Sequence, residues 1–312
     1  MSAHLIRGAR LRGASTGDIA IQNGVFVDPA DVAGSTGLQT LDAEGLVALP
    51  GFVDLHTHLR QPGGEQAETV KSGAQAAALG GYTAIHAMAN TNPVADTAEL
   101  VTQVWRWGSD AGYVDVRPVG AVTRGLEGRE LSAMGAMARS EAKVRVFSDD
   151  GKCVFDSSLM RRALQYAKDV GAVVAQHAQD PLLTAGALMN DGALSATLGL
   201  EGWPSVAEES IIARDVLLAE SVGARLHICH LSTAGSVDVI RWAKQRGIAV
   251  TAEVTPHHLL LTEDLVSSFD PLYKVNPPLR STEDILALRQ ALAQGVIDVV
   301  ATDHAPHPPE SK

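Results

Sequence analysis

From Gly51 onward the chain alternates short apolar runs with stretches of helical periodicity, and this rhythm limits the possible folds most sharply. Candidate strands cover 52–58, 83–89, 114–122, 143–147, 172–177, 225–230, 249–254 and 296–302. The first crossover, 68–79, has helical spacing and stops at Gly80-Gly81, where glycine can take the left-handed conformation that ends a helix. Parallel strands need crossovers of this kind, so the pattern predicts an α/β fold, a (β/α)8 TIM barrel. The stretch 51–312 is close to the roughly 250 residues usual for that barrel.

Residues 1–50 follow a different rhythm. Strands are predicted at 4–11, 18–21, 25–27 and 46–49, with a breaker-rich loop over 28–37. So few strands cannot cover both faces of a sheet. This region is therefore predicted to be a small partial β-sandwich domain, 1–50, with partner strands expected beyond 312. The barrel, 51–312, is predicted to lack its final helix, since the chain stops soon after the eighth strand.

Composition narrows the function classes. A formal net charge of −11 disfavours nucleic acid as a partner. The first residues lack the apolar core of a signal peptide, and no apolar run reaches the roughly 18 residues of a membrane span. Cys153 and Cys229 are too few for a disulfide framework or a thiolate metal site. A cytoplasmic protein acting on a small molecule is expected.

The chemistry lies at the strand ends. In Asp54-Leu-His56-Thr-His58, side chains at i and i+2 share one face of a strand, so His56 and His58 converge. By itself this pair reads equally well as two buried, hydrogen-bonded histidines. The pattern recurs, however: Asp149-Asp150, His177, His230 and Asp303 each close a later strand. In a barrel these ends meet around one mouth, where active sites sit. Four imidazoles with two carboxylates suit one or two divalent ions, zinc first, with cobalt or manganese as substitutes. Neighbours on a strand face opposite ways, so only one of Asp149 and Asp150 should point inward. His86, His227, His257, His258 and His304 receive no catalytic role. Arg60, two residues past His58, falls on the same side and could grip a carboxylate bidentately, although it also reads as a solvated surface charge. Asn90 and Asn276 read either as substrate contacts or as turn caps.

The segment Gly51-Phe-Val-Asp-Leu-His-Thr-His-Leu-Arg60 resembles the opening signature of the amidohydrolase superfamily. Asn90-Thr-Asn-Pro93, Phe147-Ser-Asp-Asp-Gly151, Lys274-Val-Asn-Pro-Pro278 and Thr302-Asp-His-Ala-Pro-His307 extend the likeness to the bacterial type I dihydroorotases, from about residue 46 to the end. The resemblance implies that His56, His58 and Asp303 hold a first metal, His177 and His230 a second, and that Asp150 bridges them. Many relatives bridge with a carboxylated lysine instead; the shorter aspartate needs a closer backbone, which Gly151 would permit. The resemblance also implies substrate contacts at His58, Arg60, Asn90, Asn276 and His307. The implied activity is reversible hydrolysis of dihydroorotate to carbamoyl-aspartate in pyrimidine biosynthesis. In it a zinc-bridged hydroxide attacks the ring amide, with Asp303 as general base and then acid. Alternatives are a hydantoinase or dihydropyrimidinase, and a non-catalytic scaffold subunit for aspartate transcarbamoylase. A homo-oligomer, and association with that transcarbamoylase, are compatible expectations.

Overall fold

Helix caps and strand ladders divide the chain as its local chemistry directs, in a computed structural model that describes residues 2–12, 15–308 and 310. The residues up to Phe52 form one unit and those from Val53 onward a second.

In the first unit, β1 (Ala3–Leu11), β2 (Ser15–Gln22), β3 (Val25–Val27), β4 (Gln39–Asp42) and β5 (Val47–Ala48) form one sheet. Its order is β3-β2-β1-β4, and β5 also pairs with β1. The antiparallel β1–β2 register slips between Ile6 and Ala9, where Gly8 takes φ +74° and lets the strand bulge. Ala3, Leu5, Ala20 and Val32 make the small core. Val25, Phe26 and Leu41 are exposed. Two expectations need correction. β4 was not predicted, because Gln39-Thr40-Leu41-Asp42 has a single apolar residue and is a strand only through parallel pairing with β1. The loop over 28–37 contains α1 (Pro29–Val32), started by the Asp28 side chain accepting from the Ala30 N–H and by Pro29 in the first turn.

The second unit alternates strands and helices. In chain order its strands are β6 (Phe52–Thr57), β7 (Tyr82–Ala87), β8 (Asp115–Pro118), β9 (Val146–Phe147), β10 (Val173–Gln176), β11 (Met189–Asn190), β12 (Gly202–Trp203), β13 (Leu226–Ile228), β14 (Val250–Val254) and β15 (Val299–Val300). Among its helices are α2 (Val70–Leu79), α3 (Ala98–Ala111), α4 (Met134–Arg139), α5 (Ser157–Asp169), α6 (Ala193–Leu198), α7 (Val206–Val222), α8 (Ala234–Gln245), α9 (Pro256–Leu260) and α10 (Thr282–Ala293). β6-β7-β8 form one sheet and β15-β14-β13-β10-β9 another. A parallel bridge Gly120↔Phe147 joins β8 to β9, and Thr57↔His304 joins the end of β6 to the segment after β15. The strand order is therefore cyclic. β11 and β12 pair apart from it.

Helices cover the strands through apolar stripes. α5 opens on Asp156, whose side chain accepts from the Leu159 N–H, and buries Leu159, Met160, Ala163, Leu164 and Ala167 at helical spacing. α2 begins at Val70, two residues later than predicted, because Thr69 and Ser72 close a capping box there. In α3 a Cβ on Gly108 would lie 2.4 Å from the Val116 Cβ, so the missing side chain lets the helix sit directly on β8. Among the described residues no helix is long and apolar enough to cross a membrane.

The strands end earlier than the apolar runs predicted. β13 stops at Ile228, and β15 at Val300. His230 has φ +32° and Asp303 φ +50°, values a strand cannot accommodate, so the chain leaves the extended conformation where the chemistry begins.

Candidate metal centre

Each candidate ligand is delivered from the C-terminal end of a cyclic strand. The Asp54 side chain accepts from the His56 N–H at 3.2 Å, and from the Thr302 N–H and hydroxyl at 3.1 and 2.5 Å. It thereby ties β6 to the segment that carries Asp303. His56 and His58 share the inward face, both buried.

Asp150 sits between two pairs of imidazoles. Its Oδ2 lies 3.2 Å from both His56 Nε2 and His58 Nε2. Its Oδ1 lies 3.4 Å from His177 Nδ1 and 3.2 Å from His230 Nε2. Asp303 Oδ1 joins the first pair, 3.2 Å from His58 Nε2 and 3.5 Å from His56 Nε2. His177 Nδ1 and His230 Nε2 are 2.9 Å apart. All six side chains predicted to ligate thus face one another. Asp149 points away, accepting from the Val122 and Thr123 N–H groups at 2.8 and 2.9 Å and from the Thr123 hydroxyl. Gly151, at φ +83°, turns the chain behind Asp150; a Cβ there would stand 3.2 Å from Asn90 Nδ2.

Charge balance favours an ion among these groups. Burial would lower the imidazole pKa values, but Asp150, Glu253 and Asp303 hold His56 well above the ordinary range. For His58, burial is outweighed by Asp150 and Asp303, which bring it to about 8. Burial opposes ionisation of Asp303, yet His56 and His58 lower its pKa to about 2. The site is thus built to hold positive charge among buried carboxylates. His56 Nε2 and His230 Nδ1 are buried without a hydrogen-bond partner among the described residues. Imidazole nitrogen and carboxylate oxygen in this number fit zinc or a similar borderline divalent ion. His56, Cys229 and Glu253 also lie close together. Burial pushes the Cys229 thiol far up.

The outer nitrogens of three imidazoles are occupied. His56 Nδ1 is 2.6 Å from Glu253 Oε1, His58 Nδ1 2.8 Å from Asn90 Oδ1, and His177 Nε2 2.7 Å from Gln179 Oε1. Asn90, read from sequence as a substrate contact or turn cap, holds His58 and also lines the adjoining cavity. Glu253 and Gln179 went unnoticed. A lone carboxylate inside the apolar run of β14 signalled the first, and the i+2 spacing from His177 the second. His227 bonds Thr251 and Glu253, His258 bonds Thr255 and the Pro277 carbonyl, and His304 lies 2.9 Å from Glu68.

Beside the six groups opens a cavity of about 550 Å³, lined also by Arg60, Gln179, Lys274, Asn276 and His307. Arg60, at φ +57°, donates through Nε to the Pro306 carbonyl at 3.0 Å, and its Nη2 lies 3.2 Å from His307 Nε2. Asn276 Nδ2 reaches Gln179 Oε1 at 3.4 Å. The cavity therefore places Arg60 and Lys274 beside a cluster of imidazole nitrogens and carboxylate oxygens.

A profile of the dihydro-orotase-like family matches residues 45–236. The chain is 64% identical over 312 residues to a dihydroorotase of Streptomyces coelicolor, covering all of this chain and 73% of that one. It is 66% identical over 308 residues to a dihydroorotase of Leifsonia xyli, covering 99% and 70%. Among solved structures, the L-hydantoinase of Arthrobacter aurescens matches with a TM-score of 0.84 at 26% identity, over 100% of this chain and 71% of that one. The D-hydantoinase of a Thermus species matches with a TM-score of 0.79 at 26% identity, over 99% and 70%. The chain belongs to the dihydro-orotase-like family.

Proposed function

We propose that this chain catalyses the reversible hydrolysis of dihydroorotate to N-carbamoyl-aspartate, a step of pyrimidine biosynthesis, on a (β/α)8 barrel preceded by a small β domain. The observation that carries the reading is the position of Asp150, one carboxylate oxygen toward each imidazole pair. This is the arrangement a carboxylate bridging two ions requires.

His56, His58 and Asp303 would hold one ion, His177 and His230 another, with Asp150 between. Zinc bound there would make water acidic enough to ionise near neutral pH and would polarise the ring carbonyl. The remaining work falls to the chain. Asp303, which lines the cavity, takes the proton of the attacking water and returns it to the departing ring nitrogen. Arg60, His307 and Asn276, which line the same cavity, bind the ring and its carboxylate. Lys274 adds positive charge, which offsets the repulsion of an anionic substrate by a chain of net charge −11.

The matching hydantoinases make the choice of ring the point to test. Arg60→Ala is expected to raise KM for dihydroorotate about tenfold to a hundredfold, the range for losing a hydrogen bond to a charged group. It should leave turnover of uncharged dihydrouracil unchanged. Equal losses on both rings would remove Arg60 from the carboxylate. Faster wild-type hydrolysis of dihydrouracil than of dihydroorotate would favour a hydantoinase.

A further inference from the structure

We propose that Glu253 is a positioning residue that sets both halves of the metal centre from beneath. Glu253 stands on β14, 1% exposed, and is not among the residues that line the cavity. Its Oε1 accepts from His56 Nδ1 at 2.6 Å and from the His230 backbone N–H at 3.3 Å. One oxygen thus serves a histidine of each pair.

The two contacts act differently. On His56 the carboxylate fixes the tautomer, so that Nε2 is the free nitrogen facing Asp150 and Asp303, and it makes that nitrogen a stronger donor. On His230 it takes up the N–H of a backbone held at φ +32°, a conformation disfavoured for a residue with a side chain. The other oxygen, Oε2, is 3.1 Å from His227 Nε2, whose Nδ1 is 2.8 Å from the Thr251 hydroxyl. Glu253 is therefore clamped on both sides. His58 and His177 rest on neutral amide oxygens, of Asn90 and Gln179. The charged partner instead serves His56 of the first pair and, through the backbone N–H, His230 of the second.

This inference rests on the metal-centre reading, and the test separates the two. Metal-free wild-type protein, Glu253→Gln and Glu253→Ala are titrated with zinc against a chromophoric chelator, and with cobalt while its visible absorption is recorded. Glu253→Gln keeps the shape and loses the charge, so it covers the case in which Glu253→Ala fails to fold. Loss of an outer carboxylate of this kind typically weakens metal binding about 10–100-fold. The expected result is that loss in Glu253→Gln for both zinc equivalents, with an altered cobalt spectrum. A merely structural role would lower the melting temperature and leave affinity and spectrum as in wild type, which would overturn the inference. Wild-type protein that takes up neither metal would overturn the metal centre and this inference together.

Discussion

At the residue scale, Asp150 and Asp303 both touch His56 and His58, and the proposed function gives them different duties. Asp303→Asn keeps an oxygen toward His58 but can no longer accept a proton. Turnover is expected to fall at least about a hundredfold, the usual worth of general acid–base catalysis, with zinc retained on elemental analysis. Retained turnover would remove Asp303 from that role. Asp150→Ala takes away the group common to both pairs, so zinc per chain should drop below the wild-type value in the same assay. A third prediction concerns Asp215 on α7, which receives Gln176 Nε2 at 2.8 Å just before His177. Burial raises its carboxyl to about 6, against the opposing pull of Arg214. The folded state then keeps a proton that the unfolded chain has lost. Its stabilising contribution is full below the ordinary carboxylate range near about 4 and is lost as pH rises through about 6. Asp215→Asn has no such loss. Denaturant unfolding of the metal-free proteins should shift in the variant's favour between pH 4 and 6.5, and a constant difference would refute the assignment. His56 and His58 could be found in the sequence because i and i+2 share a face, and the later residues because each closes an apolar run. Glu253 could not be ranked, since a single carboxylate in an apolar strand does not reveal which distant histidine it meets.

At the element scale, the predicted strands overran the observed ones on the side that matters. The apolar runs continue past Ile228 and Val300, but His230 and Asp303 adopt left-handed backbone. Periodicity cannot register such a turn, because it depends on partners such as Glu253 that arrive from another strand. β4 escaped for a similar reason, since its strand character comes from β1. The α2 start was legible in principle: Thr69 followed by Ser72 is a capping pair. Packing of helix on strand yields a further prediction. Gly108→Ala would force a Cβ to within 2.4 Å of the Val116 Cβ, and overpacking of this kind costs about 1–3 kcal/mol. Thermal unfolding should show it, with the zinc affinity unchanged because β8 supplies no ligand.

At the scale of the molecule, the candidate ligands carried by the ends of β6, β9, β10, β13 and β15 and the segments after them meet in one place because the strand order is cyclic. An ion held there links strands far apart in sequence. Any species that binds the folded chain alone stabilises it, by about 4 kcal/mol at a thousandfold excess over Kd. Chelation should therefore lower the melting temperature, and zinc should restore it. The α/β class could be read from the alternating pattern of apolar runs; the bridges Gly120↔Phe147 and Thr57↔His304 could not, because an apolar run does not reveal which distant segment it pairs with. The most direct test is anomalous diffraction at the zinc edge from crystals grown with zinc. Peaks should lie about 2.0–2.2 Å from the imidazole nitrogens of His56 and His58 and of His177 and His230, with an Asp150 oxygen at each. A zinc peak elsewhere, with these six side chains paired only to one another, would contradict the account.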